Sequence, residues 1–139
     1  GLRTMGVRLA HQARSALEIA QWLKTRPEVA RVLHPALQDC PGHEFWKRDF
    51  TGACGLFGVE LQPDISIEAT ERMIDGLSLF GIGASWGGYE SLVLPTTGHI
   101  RRVTGEGGPT SATFRLHIGL EGVEDLKTDL ARGLDGLQF

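Results

Sequence analysis

Phe114 to Leu120 reads FRLHIGL, and its alternation decides the fold class. Phe114, Leu116, Ile118 and Leu120 fall on one side of a strand, and Arg115 and His117 on the other. A strand apolar on one side packs that side on a core and offers the other to water or a ligand. Just downstream, Val123, Leu126, Leu130, Leu134 and Leu137 recur at helical spacing, so the strand leads into an amphipathic helix.

Upstream, helices and strands are mixed. Leu2, Met5, Leu9, Ala13, Ala16, Ala20 and Leu23 recur every three or four residues, which predicts a long helix stopped by TRP at Thr25 to Pro27. EVARVL (Glu28–Leu33) reads as a short strand, PGHEFWKRDF as a short helix and CGLFGVEL (Cys54–Leu61) as a buried strand. A second amphipathic helix follows PDIS, with Ser66 as its N-cap and Ile67, Thr70, Ile74 and Leu77 on one face. SLFGIGAS reads as a further strand, and TGHIRRVTGEGGPTS as a polar, Gly-rich, mobile loop. Strands this close in sequence favour antiparallel pairing. The expected fold is α+β: a small antiparallel sheet covered by helices.

Bulk properties narrow the function. The 139 residues are 41% hydrophobic and 22% charged, enough for one domain with a real core. A net charge of −3 without a basic run argues against nucleic acid or an anionic membrane as partner. Two cysteines, Cys40 and Cys54, are too few for a disulfide scaffold, which points to a cytoplasmic setting. No apolar run approaches the roughly 18 residues of a membrane span, and no signal peptide is present. The start at Gly1, without Met, reads as a piece cut from something longer.

The residues that carry chemistry are few. His11, His34, His43, His99 and His117 make no short-range pair, so no metal site is expected. The glycines of GIGASWG miss the spacing of a dinucleotide fingerprint. Lys24, Lys47 and Lys127 sit among charged or helix-surface neighbours, whereas an amine nucleophile needs desolvation or a cationic neighbour within a pocket. No catalytic residue and no cofactor-binding residue is assigned.

Arg115 stands apart, because a strand holds it rigidly and its fork matches a carboxylate bidentately. Two readings stay open for it: a structural or solvent-facing arginine, and a binder of small-molecule carboxylates. His117 reads as a packing or supporting group. In SWGGYESL (Ser85–Leu92), Trp86 is core filling or the wall of a ligand pocket, and Gly87 and Gly88 allow a turn with positive φ or close backbone approach. Glu90 and Ser91 read as structural caps.

SWGGYESL, followed some twenty residues later by FRLHIGLEGVEDLKTDL, resembles the C-terminal region of the transsulfuration enzymes that use pyridoxal phosphate. GLRTMGVRLAHQ, HPAL and GHEFWKRDFTGACGLFGVEL resemble the same region in the same order. Trp86, His117 and GHEFWKRDFTG look most like the bacterial cystathionine β-lyase branch; γ-synthase and γ-lyase relatives more often have Leu and Ser at those two positions.

The resemblance implies the small C-terminal domain of an aspartate aminotransferase-like enzyme, over residues 1–139. The helix over about residues 2–24 would be its connector to a large cofactor-binding domain. It implies a tetrameric lyase that cleaves cystathionine to homocysteine, pyruvate and ammonia. Arg115 would bind the substrate α-carboxylate, with Ser85 and Trp86 completing that pocket, Ser85 largely through its backbone. The Schiff-base lysine, the acidic partner of the pyridine nitrogen, the phosphate loop and the active-site tyrosine belong, by resemblance, upstream. Alone, this chain is expected to be inactive and to bind no cofactor. A stand-alone binding or oligomerisation module is the reading from another class.

Overall fold

The computed structural model describes residues 1–100 and 110–137. In chain order the elements are α1 (Met5–Leu23, entered through a 3-10 turn at Leu2–Thr4), β1 (Val29–Leu33), α2 (His43–Asp49), β2 (Leu56–Leu61), α3 (Ile67–Asp75), β3 (Gly81–Ile82), β4 (Leu92–Pro95), β5 (Thr113–His117) and α4 (Val123–Asp135). The five strands form one sheet in the order β1-β2-β5-β4-β3. The α+β class expected from the sequence is the class found.

The pairing departs from expectation at one edge. β1–β2, β2–β5 and β4–β5 are antiparallel, but β3 runs parallel to β4 through Gly81 and Ile82 alone. The sheet is therefore mixed. The reach of SLFGIGAS that forms a strand is only two residues, Gly81 and Ile82, and Ile82 stays exposed.

β5 lies between β2 and β4. Its apolar side behaves as the alternation requires: Phe114, Leu116 and Ile118 are buried, together with Phe57, Val59 and Leu61 of β2 and Val93 of β4. Leu120 falls beyond the strand and is exposed. Helices α1, α3 and α4 cover that side, contributing Ile19, Leu23, Met73, Ile74, Leu126, Leu130 and Leu134 to one core. Each buried leucine or isoleucine is worth roughly 1.5–3 kcal/mol relative to exposure.

Local signals set the helix boundaries. Ser66 Oγ accepts the Ala69 amide at 3.1 Å, so α3 begins where its cap was expected. Its buried face is Thr70, Met73 and Ile74, while Ile67 is exposed and Leu77 lies past the helix end. α1 differs more. Leu2, Met5, Val7 and Leu9 are exposed, and the buried face is Gln12, Ser15, Ala16, Ile19, Ala20 and Leu23. Only the second half of α1 packs on the sheet. The Gly-rich stretch after Thr97 lies mostly outside the described residues. No helix among the described residues is long and apolar enough to cross a membrane.

Candidate functional site

The side of the sheet away from the helices carries a cleft of about 550 Å3. Arg31, Leu33, Leu56, Gly58, Glu60, Ile100 and Arg115 are among the residues that line it. Arg115 pairs across the sheet with Gly58 on β2 and Leu94 on β4.

The cleft holds two arginines in different electrostatic states. Arg31 is neutralised by Glu60, with a nitrogen–oxygen distance of 2.7 Å. Arg115 is half-buried and, among the described residues, forms no ion pair; its Nη2 donates to the carbonyl of Ser85 at 3.2 Å. A structural ion pair is thus not what holds Arg115 among these residues. One N–H of the fork is tethered to backbone, and the others take no acceptor among the described residues.

The loop that supplies Ser85 is held along its whole length. Ser85 Oγ accepts the Gly87 amide at 3.2 Å, folding the chain back on itself, and Gly87 has φ +139°, which favours glycine. Gly88 is gripped from two sides: its amide donates to His117 Nε2 at 3.1 Å, and its carbonyl accepts from Gln12 Nε2 at 2.5 Å. Ser91 is fully buried, and both its amide (2.8 Å) and its hydroxyl (2.7 Å) donate to the Glu121 carboxylate. Ser91 Oγ accepts the Gly119 amide at 2.9 Å, closing the loop onto the end of β5.

His117 is 3% exposed, and burial holds its basicity below the ordinary histidine range, against smaller opposing effects of Gly88 and Glu121. The neutral ring accepts the Gly88 amide through Nε2, which leaves the proton on Nδ1. The Gly88 carbonyl lies 3.4 Å from the same Nε2 and is the acceptor available to a protonated ring.

Of the three residues expected at a carboxylate site, the structure brings Ser85 and Arg115 together. Trp86 is not core. It is 88% exposed and lines a separate cavity of about 210 Å3 with Met5, Arg8, Leu9, Gln12, Gly87 and Gly88. Sequence reasoning missed Glu121 and Gln12. Each acts on a residue far along the chain, so no local pattern marks either; the contact makes Ser91 a structural residue, in keeping with its expected role.

Pyridoxal phosphate needs an amine of lowered basicity and a cradle for its phosphate. The lysines here do not fit. Lys127 is held by Glu124 at 2.8 Å and Glu18 at 2.7 Å, contacts that raise its basicity. Lys24 pairs with Asp39 at 2.7 Å, and Lys47 is exposed. GIGASWG supplies no phosphate cradle of the strand–helix type either, because the element that follows β3 is β4 rather than a helix. No group of three or more metal-ligating side chains occurs among the described residues.

Comparison with known proteins gives the family. The model of the Cys/Met metabolism PLP-dependent enzymes matches residues 1–135. The chain belongs to that family. It is 51% identical over 136 residues to the cystathionine beta-lyase MetC of Escherichia coli K12, covering 96% of this chain and 34% of that protein. It is 40% identical over 135 residues to the L-alanine/L-glutamate racemase of Wolbachia pipientis wMel, again covering 96% of this chain and 34% of the relative. The solved structure of metB from Corynebacterium glutamicum superposes with a TM-score of 0.82 at 32% identity, over 96% of this chain and 35% of that one. The chain therefore spans about a third of the length of the relatives it matches.

Proposed function

We propose that this chain is the substrate-carboxylate-binding domain of a pyridoxal-phosphate-dependent carbon–sulfur lyase that acts on cystathionine, releasing homocysteine, pyruvate and ammonia. The observation that carries the reading is Arg115: a half-buried guanidinium on a central strand, tethered to the Ser85 carbonyl and without an ion-pair partner among the described residues. A rigid, permanently charged fork at the edge of an apolar cleft suits an amino-acid α-carboxylate. The 51% identity to a cystathionine beta-lyase supports the choice of reaction.

In this reading the cofactor supplies the electron sink, and its lysine and phosphate site come from the two-thirds of the relatives' length that this chain does not match. The chain's own part is orientation. Arg115 grips the carboxylate in a fixed plane. Ser85 sets the angle of the fork through its carbonyl. Trp86 is exposed next to Ser85, in a cavity separate from the cleft. Fixing the substrate in one geometry lowers the entropic part of the barrier without any bond being made here. Association into the family's tetramer belongs to the same proposal.

A second reading has one observation in its favour. A racemase matches the same span at 40% identity, so the carboxylate grip is compatible with a different bond being broken. Incubating the full-length enzyme with cystathionine separates the outcomes. Pyruvate marks β-elimination and supports the proposal, 2-oxobutyrate marks γ-elimination, and an inverted amino acid without keto-acid marks racemisation.

A further inference from the structure

We infer that His117 and Gln12 are positioning residues for substrate binding, holding the amide and the carbonyl of Gly88 so that the Ser85 carbonyl sets the carboxylate-binding fork of Arg115. The inference rests on the carboxylate-binding reading of Arg115 given above.

The links run through neighbouring atoms. His117 Nε2 takes the Gly88 amide at 3.1 Å, and Gln12 Nε2 gives to the Gly88 carbonyl at 2.5 Å. Both side chains are buried, His117 at 3% exposure and Gln12 at 4%, so neither has bulk water as a competing partner. Gly88 follows Gly87, whose φ of +139° belongs to the turn closed by its amide on Ser85 Oγ at 3.2 Å. Ser85 in turn gives its carbonyl to Arg115 at 3.2 Å. Every step from the clamp to the guanidinium is a hydrogen bond or a chain neighbour.

The surroundings leave little slack. A Cβ at Gly87 would sit 3.4 Å from His117 Cε1, and one at Gly55 would lie 2.5 Å from the Ile118 carbonyl and 3.1 Å from the His117 ring. The imidazole thus fills a slot between β2 and the loop that two glycines keep open. Gln12 comes from α1 and reaches the Gly88 carbonyl. Two elements far apart in the chain converge on one residue, and that residue lies three positions from the carbonyl that orients Arg115.

The test uses the full-length enzyme and four single variants. His117→Phe keeps the volume and removes the acceptor; His117→Gln restores an acceptor near the Nε2 position. Gln12→Leu removes the donor to the Gly88 carbonyl, and Arg115→Lys reports on the site itself. The expected result is a rise in KM for the amino-acid substrate of about five- to tenfold in His117→Phe and in Gln12→Leu, the size that goes with one lost hydrogen bond. In both, kcat stays within about twofold, and His117→Gln returns KM to within about twofold of the parent.

An unchanged KM in His117→Phe and Gln12→Leu, with Arg115→Lys impaired, overturns the positioning role and leaves the carboxylate assignment standing. An unchanged KM in Arg115→Lys overturns the carboxylate assignment itself. A His117→Phe protein that fails to fold, or one whose kcat falls while KM holds, places His117 in the general core and overturns the inference for that residue.

Discussion

The Glu121 carboxylate receives both polar hydrogens of Ser91, its amide at 2.8 Å and its hydroxyl at 2.7 Å. Ser91 is fully buried, so neither group has water to fall back on. A residue that follows β5 thereby fixes the segment that enters β4, and with it the loop that carries Ser85. Glu121→Ala removes both acceptors at once. The expected loss is about 2–3 kcal/mol of folding stability, the range for hydrogen bonds to a charged partner. Denaturant titration reads it as a lower midpoint at unchanged slope.

Gly119 is tied to the same junction by its amide on Ser91 Oγ and by close packing against the Glu121 carboxylate and the loop backbone. A Cβ there would meet the Tyr89 carbonyl at 2.4 Å and the Glu90 carbonyl carbon at 2.6 Å. Both are backbone atoms and give way only if the loop moves. Gly119→Ala should cost about 1–3 kcal/mol as overpacking. It should also weaken substrate binding, because the displaced loop is the one that orients Arg115. A Gly119→Ala protein with parental melting temperature and parental KM would show the loop to be loose.

These two anchors mark the limit of what the sequence discloses. The alternation of FRLHIGL placed Phe114, Leu116 and Ile118 on the core side because strand geometry is local and has a period of two. Ser66 announced α3 for a similar reason, its cap partner being three residues away. α1 was harder. The leucine and methionine spacing favours a stripe through Leu2, Met5 and Leu9, but those residues are exposed, and Gln12 is buried because its partner is Gly88, 76 positions on. Trp86 fails as a core residue for a related reason: the flanking Gly87 and Gly88 turn the chain outward where a continuing strand would have carried it inward. Arg115 and Ser85 were legible as a pair through resemblance, and their contact rests on a turn that no periodicity describes.

Acidification should destabilise the fold through two histidines. His34 and His117 are both buried, and desolvation holds both below the ordinary histidine value. His34 uses Nδ1 to accept the Ala36 amide at 3.2 Å, so its neutral ring carries the proton on Nε2. In the unfolded chain each titrates near its ordinary value of about 6.5. Below that pH the unfolded state binds more protons than the folded state, so stability falls as pH falls. Unfolding midpoints measured from about pH 7 down to pH 5 should decline, and the decline should be smaller in His117→Gln. A midpoint that is flat or rises over that range would contradict the burial of neutral imidazoles.

Asp129 offers a test away from the site. Its carboxylate is buried and accepts the amides of Ser78 (3.0 Å) and Leu79 (2.8 Å), joining α4 to the turn before β3, while Arg132 pairs with it at 2.5 Å. Asp129→Ala strands two backbone donors, while Arg132 keeps the Gly76 carbonyl and Ser78 Oγ. The expected cost is about 2–3 kcal/mol, the range for hydrogen bonds to a charged partner. kcat in the full-length enzyme should be unaffected at temperatures where the variant remains folded.

The central claim is that Arg115 binds the substrate carboxylate, and steady-state kinetics of Arg115→Ala in the full-length enzyme tests it most directly. Removing one partner of a buried, hydrogen-bonded charge pair costs about 2–5 kcal/mol, so kcat/KM on cystathionine should fall by about 30-fold to a few thousandfold. Arg115→Lys should retain some binding and raise KM, since an ammonium keeps the charge but not the plane of the fork. A value of kcat/KM for Arg115→Ala within a few-fold of the parent would contradict the claim.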